Sequence, residues 1–202
     1  ILPTATQYAR NAVFSGLMPA QIVQMYPRFW VEEEDEGSKN QFENELIQTM
    51  LDRYRRKHRY SYYKINDQES GRKLVDGYKS LLDNDLNVCV FNFVDMLSHA
   101  RTEMKMIREL AGDEAAYRSL TLSWYMHSPL RDLLKKLAGE KVTVIITTDH
   151  GTIRVNNPIK VVGDRSVNTN LRYKQGKNLA YNPKEVFEVK VPEKAFLPKQ
   201  NV

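Results

Sequence analysis

The sequence has one cysteine, Cys89, in 202 residues. That excludes a disulfide framework and makes a reducing, cytoplasmic setting the expectation. No apolar run approaches the roughly 20 residues of a membrane-spanning helix, so no membrane partner is expected. The opening, ILPTATQYARN, has neither the basic region nor the long apolar run of a signal peptide. There is no internal repeat and no low-complexity segment. Histidine is scarce too, with four residues in the whole chain. What is present is ordinary for a globular chain: 42% hydrophobic and 27% charged residues. The length suits one domain with a sizeable core, or at most two small ones. A net charge of +5 is compatible with an anionic ligand without demanding one. The chain opens on ILPTAT and closes on LPKQNV, neither of them polar or frayed, so an excised piece of a longer protein is expected.

Along the chain, helical and strand-like segments alternate. YARNAVFSGL reads as a helix stopped near Gly16, and PAQIVQMYP as another between prolines. EEEDEG is an acidic loop. SKNQFENELIQTMLDRYRRKHR predicts a long helix, with Ser38 and Gln41 as a capping box and an apolar stripe of Phe42, Leu46, Met50 and Tyr54. YSYYKI is strand-like, ESGRKLVDGYKSLL helical, and LNVCVFNFVD a buried strand. Residues 102–138 are mostly helical, broken near Ala111-Gly112-Asp113. VTVIITTDHG is a strand expected to be buried on both faces. After Gly151 come short strands and loops: TIRVNNPIKVVG, RSVNTNLRYKQGKN and VFEVKV. Strands separated by helices predict an α/β fold, with a largely parallel sheet covered by helices on both faces.

In such folds the ligand lies beyond the carboxyl ends of the strands. There VCVFNFV delivers Asp95 and then His99, and VTVIITT delivers Asp149 and His150. An Asp at a strand end is also a common helix cap or turn residue. Two Asp-His pairs in a chain with four histidines are harder to ascribe to that role. Carboxylate and imidazole together suit zinc or manganese. Pairs on neighbouring strand ends could hold two ions about 4 Å apart, the arrangement used in phosphoryl chemistry. His58, on the basic stretch RYRRKHRY, reads as solvated on the face of the long helix, and His127 as structural. The opening LPTATQYARNAVFSG runs from two Thr into a helix. A hydroxyl there can cap the helix, or it can sit where aligned N–H groups hold a phosphate and stabilise an alkoxide.

In that order, the Thr-helix, strand-Asp-x-x-x-His and strand-Thr-Asp-His-Gly elements resemble the alkaline phosphatase superfamily. PTATQYARNAVFSG is similar to the Pro-Thr-x-Thr segment of nucleotide pyrophosphatase/phosphodiesterases. The whole chain resembles the PglZ-type domain, and in particular the effector domain of PorX-like two-component response regulators. LPTATQYARNAVFSG, FNFVDMLSHAR, TTDHGTIRVNNP and NTNLRYKQGKN carry that likeness. The resemblance implies one alkaline-phosphatase-like domain over residues 1–202, lacking its first strand and its C-terminal part. It implies Thr6 as nucleophile, one zinc ion on Asp149, His150 and Thr6, and a second on Asp95 and His99. The superfamily also supplies an Asp from a strand before the nucleophile and a late second His, and neither is in this chain. Arg10, Arg172 and Lys174 are candidates by charge for binding the substrate phosphate.

The implied activity is that of a zinc-dependent phosphodiesterase. The basic balance and the RSVNTNLRYKQGKN loop would suit a nucleotide or oligonucleotide phosphodiester, although the same loop also reads as solvated surface. The rival expectation is a regulatory module with a structural metal site, binding a transcription factor or histidine kinase, with a homodimer as an allowed assembly. A third reading, single-strand binding through RYRRKHRYSYYK, competes with the view that Tyr60–Tyr63 feed a core strand.

Overall fold

The computed structural model describes residues 1–32, 35–152, 155–164, 167–168 and 170–198. Parts of the acidic loop (33–34), of TIRVNNP (153–154) and of the RSVNTN loop (165–166 and 169), together with the closing residues 199–202, lie outside the described residues. The chain divides into two compact units, Ile1–Arg56 with Thr147–Val202, and Lys57–Ile146.

The first unit is built on three helices. Helix α1 (Thr6–Ser15) follows an extended Ala5 and ends at Gly16, whose N–H closes on Ala12 O. Gly16 has φ 62°, a left-handed conformation that costs glycine little and other residues more. Helix α2 (Pro19–Met25) places proline in its first turn, where the missing N–H is not needed. Helix α3 (Glu43–Arg53) has Glu43 and Glu45 in its first turn and Arg53 in its last, matching the helix dipole.

The expected capping box does not form. Ser38 Oγ donates to Asn40 Oδ1 at 2.7 Å, and the helix begins five residues after Ser38, at Glu43. The stripe is also rotated from the expected one. Glu43, Leu46, Ile47 and Leu51 are buried, while Tyr54 is 65% exposed. A strict spacing of four drifts about 40° per step around a 3.6-residue helix, so Tyr54 has left the face that Phe42 began. The helix stops early because Arg55 turns left-handed, at φ 53°. Arg55 N–H then bonds Asp52 O, and Arg56 N–H bonds Leu51 O. This is the Schellman pattern, with arginine where glycine is usual. His58 therefore lies beyond the helix rather than on it, with Nδ1 3.5 Å from Asp85 Oδ2 and both side chains exposed. The unit's core gathers Tyr8, Ile22, Phe29, Trp30 and Leu46. The Tyr8 ring meets Trp30 and Tyr173 edge-on, at 5.6 Å each, which fixes α1 in rotation.

The second unit opens with a β-α-β turn of chain. Strand β1 (Tyr60–Ile65) pairs in parallel with β2 (Leu86–Phe91), Tyr60 opposite Leu86 and Ile65 opposite Phe91. Helix α4 (Gln68–Asp76) makes the crossover and is capped by Asp67, which accepts from Ser70 N. Helices α5 (Phe93–Glu103), α6 (Lys105–Leu110), α7 (Glu114–Met126) and α8 (Pro129–Leu137) follow. Ile65, Leu74, Val75, Leu81 and Leu133 form the core between β1, α4 and α8. Gly71 makes the close approach possible, since a Cβ there would lie 2.6 Å from Pro129 Cγ. The fold is α/β with a parallel sheet, as expected, although the sheet has two strands among the described residues.

Two strand expectations are corrected. Residues 142–148 are not hydrogen-bonded into the sheet, and their apolar side chains face solvent: Ile145 is 83% and Ile146 74% exposed. Alternation and β-branching mark a segment as strand-like but do not name a partner, and an extended segment becomes a strand only by pairing. After Gly151 the short strands reduce, among the described residues, to one antiparallel bridge between Val162 and Ala180. VFEVKV leads instead into a 3₁₀ turn at Pro192–Ala195. No helix among the described residues is long and apolar enough to cross a membrane.

Candidate functional site

Helix α1 starts without a side-chain cap. Ala5 occupies the capping position, and Thr6 is the first helical residue. The Thr6 hydroxyl is therefore not committed to the helix end. Its Oγ1 lies 3.1 Å from Nε2 of His150, 144 positions away in sequence. The same Nε2 lies 3.7 Å from Oδ2 of Asp149. A hydroxyl, an imidazole and a carboxylate thus converge at the start of a helix, where the dipole favours negative charge.

One turn into α1, Arg10 lies on the same helical face as Thr6. Its Nε donates to Asp149 Oδ2 at 3.2 Å and its Nη1 to Glu43 Oε1 at 3.3 Å. Burial works against the charge of this guanidinium, but the carboxylates of Asp149 and Glu43 outweigh it and raise the pKa above the usual arginine value. Glu43 is 1% exposed and also accepts from Asn40 Nδ2.

Arg172 spans the two segments that supply the cluster. Its Nη1 donates to Thr4 O at 3.1 Å and to Thr4 Oγ1 at 3.2 Å, and its Nη2 to Gly151 O at 2.6 Å. It ties the residue two before Thr6 to the residue after His150. Lys174 Nζ donates to Asn168 O at 2.9 Å.

Asp95 and His99 belong to the second unit. Strand β2 ends at Phe91, so both residues stand on α5 rather than on the strand end itself. Their spacing of four is one helical turn, which brings His99 Nε2 to 3.7 Å from Asp95 Oδ1. His99 Nδ1 is also 3.9 Å from Glu103 Oε1, one turn further on. His127 terminates α7 as its C-cap residue.

Two of the three donor separations around Thr6 are of the size a small divalent ion requires. Ligands held about 2.1 Å from a tetrahedral zinc lie about 3.4 Å from one another. The Thr6–His150 and His150–Asp149 separations of 3.1 and 3.7 Å bracket that edge. Among the described residues no group of three or more His, Cys, Asp or Glu is gathered for a metal.

Sequence reasoning named Thr6, Arg10, Asp149, His150 and Arg172; in the first unit Thr6 meets His150, Arg10 meets Asp149, and Arg172 bonds the neighbouring Thr4 and Gly151. It missed Glu43. The available signal was helical spacing: with Leu46, Ile47 and Leu51 at steps of three, four and eight, a carboxylate falls in the middle of an apolar stripe.

The family model for the BREX system PglZ alkaline phosphatase-like domain matches residues 1–201. The search of curated proteins found no match to the chain.

Proposed function

The chain belongs to the PglZ family of alkaline phosphatase-like domains, a phosphoesterase-type assignment, and from that membership we propose a zinc-dependent phosphodiesterase acting on nucleotide or oligonucleotide phosphodiesters. The observation that carries the reading is the 3.1 Å approach of Thr6 Oγ1 to His150 Nε2, beside Asp149, at an uncapped helix start. Asp149, His150 and Thr6 would hold one zinc, and Asp95 with His99 the other. Zinc at such a site supplies Lewis acidity that lowers the pKa of the threonine hydroxyl.

The chain's own residues do the rest. Thr6 Oγ1 loses its proton to solvent and attacks phosphorus in line; a new P–O bond forms, the bond to the ester oxygen breaks, and that oxygen leaves with a proton taken from solvent. The first turn of α1 directs its N–H groups toward the phosphoryl oxygens and stabilises the charge that builds there. Arg10 orients Asp149 through Oδ2, the oxygen that also lies 3.7 Å from His150 Nε2. Arg172 clamps the Thr4 and Gly151 segments so that Thr6 and His150 keep their separation. Water then attacks the phosphothreonine, and Thr6 Oγ1 leaves and is reprotonated.

The resemblance to PorX-like effector domains supports a role in two-component signalling, in a cytoplasmic protein. The exposed apolar segment at 142–146 favours a second reading, in which this domain also contacts a transcription factor or histidine kinase. Hydrolysis of bis(p-nitrophenyl) phosphate, measured with and without chelator, separates the two. Chelator-sensitive turnover that disappears in Thr6→Ala supports the enzyme. Zinc binding without any turnover supports the binding module.

A further inference from the structure

The carboxylate of Glu43 is the most deeply buried charge in the first unit's cluster, and the reading above gives it no task. It occupies the inward face of α3 with Leu46, Ile47 and Leu51. A carboxylate withdrawn from water costs several kcal/mol before pairing, and well-packed apolar residues of similar volume often serve stability as well or better. Packing alone therefore does not account for a glutamate here.

Its connections point in one direction. Glu43 Oε1 receives Arg10 Nη1 at 3.3 Å, and the Nε of the same guanidinium reaches Asp149 Oδ2 at 3.2 Å. The guanidinium is planar and rigid, so fixing one edge of it fixes the direction of the other. Arg10 is buried as well, at 8% exposure, which leaves it little freedom to turn. The three groups sum to one negative charge, a balance complementary to a cation beside Asp149. Two arginines to two carboxylates would lack that excess.

We infer that Glu43 is a positioning residue: acting through Arg10, it holds the Asp149 carboxylate beside His150 in the orientation that receives the divalent ion. The inference rests on the proposal that Asp149 is a metal ligand. Glu43 is not one of the proposed ligands, and its effect on Asp149 is carried by one guanidinium.

The test measures zinc affinity by competition with a chromogenic chelator, together with the melting temperature of the metal-free protein. It follows the zinc equivalent that Asp149→Ala removes. The variants are Glu43→Gln and the paired apolar replacement Arg10→Met with Glu43→Leu. Glu43→Gln should weaken that zinc equivalent by about 10-fold, the low end of the range for groups bonded directly to a ligand, because Glu43 acts through Arg10. The paired replacement should keep or raise the metal-free melting temperature and show a similar loss of zinc. It carries the test should Glu43→Gln fold poorly. Zinc affinity at the wild-type level in the paired variant would show that the ion-pair chain only supports the fold, and would overturn the inference. Zinc binding unchanged in Asp149→Ala would overturn the metal assignment itself, and the two failures are read from different proteins.

Discussion

The hydroxyl of Thr6 and that of Thr4 lie two residues apart and have different partners. Thr4 Oγ1 accepts from Arg172, while Thr6 Oγ1 faces His150. Replacing Thr6 by Ala removes the proposed nucleophile but spares Asp149, His150 and the backbone of α1. Phosphodiester turnover should fall by about three to six orders of magnitude, the range seen when a covalent nucleophile is deleted, with far less change in product affinity. Thr4→Ala loses one exposed hydrogen bond and should keep most of its rate. Side-by-side kinetics, with zinc content checked in each, decide the matter, and an inactive Thr4→Ala beside an active Thr6→Ala would reverse the assignment. At the same scale, burial pushes the Cys89 thiol up to about 11. The group stays protonated through neutral pH, and the thiolate is the reactive form. Iodoacetamide at pH 8 should label Cys89 slowly in the native protein and readily after unfolding, followed by mass spectrometry. The residues that could be read from sequence were those whose chemistry is rare: an Asp-His pair after an apolar run, and a Thr before a helix. Glu43 was not read, because a glutamate in a helix is usually solvated and only its exact rotational position says otherwise.

Elements were legible where local signals were strong and illegible where contacts decide. Asp67, Asp113 and Ser128 cap α4, α7 and α8, each accepting from the backbone three residues on, whereas the capping box expected at Ser38 does not form. Ser128 also donates to Tyr125 O and is fully buried. Ser128→Ala should cost about 1–2 kcal/mol of stability, measurable by urea denaturation. The early end of α3 could not be read, because an arginine takes the left-handed position and tertiary contacts override its preference. The segment 142–148 has the composition of a strand, but pairing is a property of two segments. Gly71 sets two effects against each other. Alanine is better than glycine in a helix by about 1 kcal/mol. Yet its Cβ would meet Pro129 Cγ at 2.6 Å and Cβ at 2.7 Å, well inside contact distance. Overpacking typically costs about 1–3 kcal/mol, so Gly71→Ala should be destabilising on balance. A melting temperature at or above wild type would mean that α8 shifts away without penalty.

The first unit is assembled from two stretches of chain, Ile1–Arg56 and Thr147–Val202, with the second unit threaded between them. Its proposed ion belongs to both stretches, since Thr6 comes from one and Asp149 and His150 from the other. Zinc should therefore stabilise the first unit by its binding free energy, and a chelator should lower the melting temperature of the wild-type protein. Asp149→Ala should start from the lower value and lose most of that sensitivity. A wild-type melting temperature indifferent to chelator would count against the metal.

The same threading sets an order of events on the ribosome. The stretch carrying Thr6, Arg10 and Glu43 leaves the exit tunnel well before Asp149 and His150 are synthesised. At 5–20 residues per second, the intervening 57–146 segment takes roughly 5–20 s to be made. For that interval Arg10 and Glu43 are present without Asp149, and the apolar faces of α1 and α3 await the residues that complete their core, Tyr173 and Leu197 among them. The second unit, continuous in sequence, can close as soon as it emerges. A nascent chain stalled just after residue 146 has cleared the exit tunnel should therefore show a protease-resistant second unit beside a cleavable first stretch, and a window in which chaperones find exposed apolar surface.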